Sequence, residues 1–265
     1  MTRAEVTAPD PQLTEPNPGA NSVLGKAFLI LECFDSGEAS LSLAELARRS
    51  SLPKSTVHRV AASLVAWGAL ERVSGDFQLG LRLFEFGGLV PRWRLLRETA
   101  LPFMEDLFEV THQTVHLGQL DDLSVFYLEK IRGHNNLTTV SRIGGRVPAH
   151  CTGIGKVLLA FSPPEVLERL FQRPLERCSP YTITSSSVFR DELATIRKDG
   201  VAYDREETTL GLACVAAPIL SYRGKPVAGI SVSVPTARFR PEQLAPVVRA
   251  AALAVSRALK STSIE

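Results

Sequence analysis

The sequence lacks most of what marks a membrane, secreted or metal-scaffolded chain. No stretch approaches the ~18 to 20 consecutive apolar residues that a membrane-spanning helix requires. The four cysteines, Cys33, Cys151, Cys178 and Cys214, are scattered without a C-x-x-C pair, which argues against a zinc ribbon and against a disulfide framework. Residues Met1 to Ala20 carry Pro9, Pro11, Pro16 and Pro18 with few apolar side chains, so they read as a disordered tail and not as a signal peptide with an apolar centre. There is no internal repeat. The formal net charge is only +2, too small to argue for a nucleic-acid partner from total charge, so any such argument must rest on placement. These absences lead to the expectation of a cytoplasmic protein without a membrane partner. What is present is an apolar fraction of 45% over 265 residues, enough for a sizeable core and for more than one small domain.

Placement is informative in Ser51-Leu-Pro-Lys-Ser-Thr-Val-His-Arg-Val-Ala-Ala-Ser-Leu-Val-Ala-Trp-Gly-Ala-Leu70. At 3.6 residues per turn from Pro53, Val57, Val60, Ala61 and Leu64 form an apolar stripe. Ser55, Arg59, Ala62, Ser63 and Ala66 lie opposite, flanked by Thr56 and His58. Pro53 suits a first helical turn, and Gly68 suits the left-handed residue past a helix end. Upstream, Ser42-Leu-Ala-Glu45 reads as a capping box for a helix to about Ser50, and Ser22 to Phe34 reads as a third helix. Downstream, Leu70 to Val73 and Phe77 to Gly80 flank Ser74-Gly75-Asp76 as a short hairpin. Helix-turn-helix plus hairpin is a winged helix, in which the second helix of the pair enters the major groove and the wing follows the phosphates. Taken alone, Lys54, His58 and Arg59 are as easily a solvated face. The hairpin and a local excess of cations (Arg48, Arg49, Lys54, Arg59 and Arg72 against Glu45 and Glu71) favour double-stranded DNA. The candidate DNA contacts are Arg49, Lys54, Ser55, Thr56, His58, Arg59, Ser63 and Arg72.

From Leu81 to about Thr111 the pattern is helical, with a break at Gly87-Gly88 and Pro91. Strand-like runs follow at Thr114 to Leu120, Ser124 to Ile131 and Thr138 to Ser141. Helical patterns cover Gly153 to Phe161, Pro164 to Leu170 and Val188 to Lys198. Strands at Leu212 to Tyr222 and Pro226 to Val234 precede a last helix from about Pro241 to Leu259. The expected fold class is α+β, with an N-terminal winged helix, a linker helix and a C-terminal domain built on an antiparallel sheet. The expected boundaries are a tail at 1–20, a DNA-binding domain at 21–81, a connecting helix at 82–98, and a second domain at 99–265.

Two stretches of the second domain are polar where a core would be apolar. Pro148 to Lys156 runs from a loop into a helix start, where free N–H groups attract anions. It is no nucleotide loop, because G-x-x-x-x-G-K-[ST] does not fit around Gly155-Lys156. Asp204 to Cys214 forms the second, with Ser231 and Ser233 two apart on the next strand, so their hydroxyls share a face away from Ile230, Val232 and Val234. A solvent-facing serine pair and a structural buried cysteine are the plainer alternatives. His112 and His116 have the spacing of one helical turn, but Gln113 stands where a zinc protease carries glutamate, so no metal and no cofactor are expected. Gly229-Ile-Ser231-Val-Ser233 lacks the last glycine of a nucleophile elbow.

Leu52-Pro-Lys-Ser-Thr-Val-His-Arg59, Phe77-x-Leu79-Gly80, Gly155-Lys156-Val-Leu-Leu-Ala160 and, most specifically, Gly200-x-x-x-Asp204-x-x-Glu207-x-x-x-x-x-x-Cys214 resemble the IclR (isocitrate lyase regulator) family of bacterial transcription factors. The resemblance covers nearly the whole chain after the tail. It implies a winged helix, a linker helix and a GAF-like domain that binds small organic acids, in homodimers that often pair as dimers of dimers. By motif position it implies effector contacts at Val147, the backbone of Gly153 and Ile154, Asp204, Cys214, Ser231 and Ser233. Ile154 stands where some relatives carry alanine, which bears on pocket size. The competing reading is a thiol or serine hydrolase fused to a DNA-binding domain, with Cys214 or Ser231 as nucleophile and a histidine within hydrogen-bond reach. A bare architectural DNA binder would leave the second domain unexplained.

Overall fold

The structure, a computed structural model, describes residues 19, 21–36, 38–133 and 141–261. The tail read at 1–20 lies outside them apart from Gly19, as does the strand read at Thr138–Ser141 apart from Ser141. The chain divides into two compact units, Met1–Pro91 and Arg92–Glu265.

In the first unit, helix α1 (Val23–Glu32) is capped by Ser22, whose Oγ accepts from the Gly25 amide at 2.9 Å, and it ends in a 3₁₀ turn at Cys33–Ser36. Ser42 caps α2 (Leu43–Ser50) by accepting from the Glu45 amide at 3.2 Å. The Glu45 carboxylate takes hydrogen bonds from Arg48 and Arg49, which hold its pKa down at about 2. Pro53 precedes α3 (Lys54–Ala66) as its N-cap, one position earlier than a first-turn proline, and Gly68 terminates the helix region at φ +73°. Strands β1 (Leu70–Val73) and β2 (Asp76–Leu79) pair around Ser74 and Gly75, both at positive φ as a tight hairpin turn requires. Ile30, Leu46, Val57, Val60, Leu70 and Phe77 form the core of this unit, and α4 (Leu81–Gly88) follows the hairpin.

The second unit is built on a six-stranded antiparallel sheet of order β5-β4-β3-β8-β7-β6, comprising β3 (Thr114–Asp121), β4 (Ser124–Ile131), β5 (Arg146–Pro148), β6 (Ala202–Arg205), β7 (Leu212–Leu220) and β8 (Pro226–Pro235). Strand alternation divides it into two faces. Val115, Leu117, Val215, Ile230, Val232 and Val234 pack beneath α5 (Pro91–Thr111) and α9 (Pro241–Ser261). The opposite face carries α6 (Gly153–Ala160), α7 (Pro164–Phe171) and α8 (Ser186–Asp199) over Val125, Tyr127, Ala202 and Ala216. The helical stretch at 81–111 is broken between α4 and α5, where Gly87-Gly88 and Pro91 forecast it. His112 sits at φ +51° past the end of α5, and His116 lies on β3, so the two are not neighbours on one helix.

Helix α6 rests backbone to backbone on the 3₁₀ turn Ala149–Cys151: a Cβ on Gly155 would lie 2.0 Å from the Ala149 carbonyl oxygen. Gly155→Ala therefore forces the helix off its seat and costs ~1–3 kcal/mol, the usual penalty of overpacking. Urea denaturation should show a lower midpoint with an unchanged slope; an unchanged midpoint would mean that α6 is not held by this contact.

Candidate functional site

A cavity opens between the N-terminus of α6 and the α6-facing side of β3, β7 and β8. It contains about 360 Å³ of empty space, counting the part open to solvent, and is lined by His116, Tyr127, Ser141, Thr152, Gly153, Ile154, Asp204, Thr208, Leu212, Cys214, Ser231 and Ser233. Six of the seven residues read from the sequence are among these. Val147 is the exception: β5 pairs with β4, and the Val147 side chain is buried in the apolar cluster under α6, so it does not reach the cavity. The serine pair is not solvent-facing, with Ser231 and Ser233 only 4% and 2% exposed.

Thr152 caps α6 by accepting from the Gly155 amide at 2.9 Å, which leaves the amides of Gly153 and Ile154 as the uncapped N–H groups at this helix end. The bulk of Ile154 is accommodated by the sheet. Gly118 and Gly229 face each other across β3 and β8, and a Cβ on either would come within 3.0–3.5 Å of the Ile154 side chain. A side chain at 229 would press on Ile154, whereas one at 118 would first meet Val125.

Asp204 is set by its own turn. Its Oδ1 accepts from the Glu207 amide at 2.8 Å, and its Oδ2 lies 3.0 Å from Thr208 Oγ1. Thr208 Oγ1 also donates to the Cys151 carbonyl, and one hydroxyl proton cannot serve both acceptors. A proton on Asp204 resolves the conflict. Burial, and next the negative charge of Glu207, push its pKa up to about 7 against the opposing pull of the Glu207 amide, Lys156 and Thr208. Near neutral pH this carboxyl both donates and accepts. Beneath it, the fully buried Lys156 ammonium lies 2.6 Å from Glu207 Oε1 and 3.1 Å from Glu192 Oε1.

Residues that the motifs did not single out complete the wall. His116 pairs with Ser231 across β3 and β8; its Nε2 is 2.8 Å from Ser141 Oγ and its Nδ1 is 3.3 Å from Ser233 Oγ, which lies 3.0 Å from Cys214 Sγ. This chain brings a nucleophile type within reach of a histidine, as the hydrolase reading requires. Its proton chemistry argues otherwise. Burial, and next the Lys130 charge, hold His116 down at about 3, and burial, with Asp204 next, pushes the Cys214 thiol well up. At neutral pH the imidazole is neutral but too weakly basic to draw the proton from a thiol whose own pKa is raised, so the pair is poorly matched for activating a nucleophile. The sequence signal for His116 is its even position on β3, alternating with core residues Val115 and Leu117.

In the N-terminal unit, Lys54, Ser55, His58, Arg59 and Ser63 are exposed on α3 with Thr56 half-buried, opposite the buried Val57, Val60 and Ala61. Arg72 lies on β1, its guanidinium over the Phe77 ring. Lys54, Arg59 and Arg72 make no ion pair among the described residues. Arg49 departs from the expected role. Its side chain, 20% exposed, is committed to Glu38, Glu45 and the Cys33 carbonyl, so it braces the domain.

Residues 23–74 match the IclR helix-turn-helix domain, and residues 93–257 match the C-terminal domain of bacterial IclR transcriptional regulators. The chain belongs to the IclR family. It is a transcriptional regulator with a DNA-binding helix-turn-helix domain and a C-terminal effector domain. Similar family members include the HTH-type transcriptional regulator KdgR of Dickeya chrysanthemi, 38% identical over 225 residues, 84% of this chain and 73% of that protein. The transcriptional repressor IclR of Escherichia coli is 30% identical over 236 residues, 87% of this chain and 86% of that one. Among solved structures, an IclR homolog from Microbacterium hydrocarbonoxydans complexed with 4-hydroxybenzoate superposes with a TM-score of 0.85 at 31% identity, covering 91% of this chain and all of the other.

The raised Asp204 pKa has a stability consequence with a definite sign. Between about 4 and 7 the folded state holds a proton that the unfolded state has released, so stability falls as pH rises through that window. Asp204→Asn should remove this component. Urea midpoints measured from pH 4 to 8 should decline less in the variant than in the wild type; parallel profiles would return Asp204 to an ordinary carboxylate.

Proposed function

We propose that this regulator binds operator DNA through Lys54, Ser55, Thr56, His58, Arg59, Ser63 and Arg72, and that a compact organic acid in the α6 cavity modulates that binding. The observation that carries the effector half is the convergence of the Gly153 and Ile154 amides, Asp204, Cys214, Ser231 and Ser233 on one small buried cavity. A carboxylate there takes hydrogen bonds from the two amides and from the serine hydroxyls. Asp204 receives a donor such as a ligand hydroxyl or, when protonated, itself donates. The complex of a relative with 4-hydroxybenzoate, which carries both a carboxylate and a hydroxyl, supports this ligand class. Aliphatic and aromatic acids alike carry the carboxylate that this donor set would bind. The effector acts only through a difference in its affinity for DNA-competent and DNA-incompetent arrangements. The working form in this reading is a cytoplasmic homodimer, or a dimer of dimers, since helix-turn-helix proteins read two half-sites.

On the DNA side, Arg59→Ala should cost ~1–3 kcal/mol on operator DNA and relax specificity at one base position if Arg59 reads a base. Titration against single-base operator variants distinguishes this from uniform weakening, which would make Arg59 a phosphate contact. On the effector side, 4-hydroxybenzoate and short aliphatic carboxylates are screened by thermal shift against wild type and the Ser231→Ala, Ser233→Ala double variant. A ligand at about 100 times its dissociation constant adds ~2.7 kcal/mol. The gain should vanish in the variant while operator binding persists; equal stabilisation of both proteins would remove the serines from the site.

A further inference from the structure

Two thiols that are distant in sequence meet outside the cavity: Cys178 Sγ lies 2.7 Å from Cys151 Sγ, across 27 residues of chain. Cys151 is buried on the 3₁₀ turn before α6, and Cys178 is half-buried between α7 and α8. Neither lines the cavity. Their contact raises the Cys151 thiol well up and lowers that of Cys178, so the more accessible sulfur is also the readier thiolate. Both sides of the pair are tied to the acidic turn of the effector domain. Ser179 Oγ donates to the Glu206 carbonyl and Thr182 Oγ1 to the Glu207 carbonyl, each at 2.6 Å, while the Cys151 carbonyl accepts from Thr208 Oγ1.

We propose that Cys151 and Cys178 are a modification site, closing to a reversible intramolecular disulfide when the protein meets a hydroperoxide. The Cys178 thiolate attacks a peroxide oxygen, the O–O bond breaks, and the departing alkoxide or hydroxide takes up the proton that Cys178 released, leaving a sulfenic acid. Cys151 then attacks that sulfur, the S–S bond forms, and the sulfenic hydroxyl leaves as water with the Cys151 proton. Two thiols lose two electrons and two protons, and one hydroperoxide becomes an alcohol, or a second water, plus water. Excess low-molecular-weight thiol reverses the bond by exchange. The closed bond joins the 178–182 segment to the 3₁₀ turn on either side of Glu206–Thr208, which stiffens the turn that carries Asp204. His150 lies beside the two sulfurs, with the ligating atoms of all three residues within 4.8 Å of one another, so a soft metal is the competing occupant.

The test uses the full chain, assayed for bound metal, treated with hydrogen peroxide and mapped by mass spectrometry without reduction. The expected result is a mass lower by two hydrogens, one peptide pair linking Cys151 to Cys178, reversal by dithiothreitol, and Cys33 and Cys214 still open to alkylation after denaturation. Amide exchange should slow at 149–152, 178–182 and 204–208 on oxidation. Cys178→Ser and Cys178→Ala should each lose the intramolecular link, and the wild-type map stands by itself if either variant misfolds. A link between chains, oxidation of Cys214 ahead of this pair, over-oxidation of Cys178 without a link, or stoichiometric zinc that shields both thiols would each overturn the proposal.

Discussion

The effector domain turns on one buried charge. A Lys156 ammonium with no exposed surface is tolerable in the interior only because Glu207 and Glu192 meet it at hydrogen-bond distance. Those three residues come from α6, α8 and the turn after β6, so satisfying the charge fixes the separation of three elements that the hydrophobic core alone would leave free to slide. The acidic turn at the cavity's edge inherits that position. The Glu207 amide orients Asp204, Thr208 ties Asp204 to the Cys151 carbonyl, and the same turn is held from outside by Ser179 and Thr182.

Much of this was legible from residue order, where the chemistry is local. Helix α3 and its hairpin follow from 3.6-residue spacing, a proline and a glycine at the two ends, and a turn at Ser74-Gly75-Asp76, which the structure shortens to Ser74-Gly75 by pairing Asp76 with Val73. The shared face of Ser231 and Ser233 follows from the period of a strand. Two strands escaped notice: β5 and β6 are three and four residues long, too short for alternation to stand out, and they are recognisable only through the partners they pair with. Ser42 caps α2 as expected, but Glu45 turned to two arginines in place of the amide it was expected to satisfy, because side-chain cations compete for the same carboxylate.

The other misses are long-range. Lys156 in a Gly-x-Gly-Lys stretch reads as part of an anion loop, and only folding brings the two glutamates that turn it into a buried brace. Val147 matched a motif position yet faces the core, because the register of β5 on β4 decides which way it points. His116 was read on a strand, but only the pairing of β3 with β8 sets it opposite Ser231 on the cavity wall. Two of the four cysteines, Cys151 and Cys178, converge because the segment after α7 returns to the turn before α6.

The division of β3, β7 and β8 into alternating residues has a consequence for descent. Positions 116, 214, 231 and 233 face the cavity, while 115, 215, 230 and 232 face the helices α5 and α9. Ligand preference and structural integrity are therefore written in interleaved but separate letters. A lineage can revise the cavity positions without disturbing the core beneath α5 and α9. The exceptions are Gly118 and Gly229, whose missing side chains leave space for Val125 and Ile154, and it is there that a new chemical diet would demand coordinated substitutions.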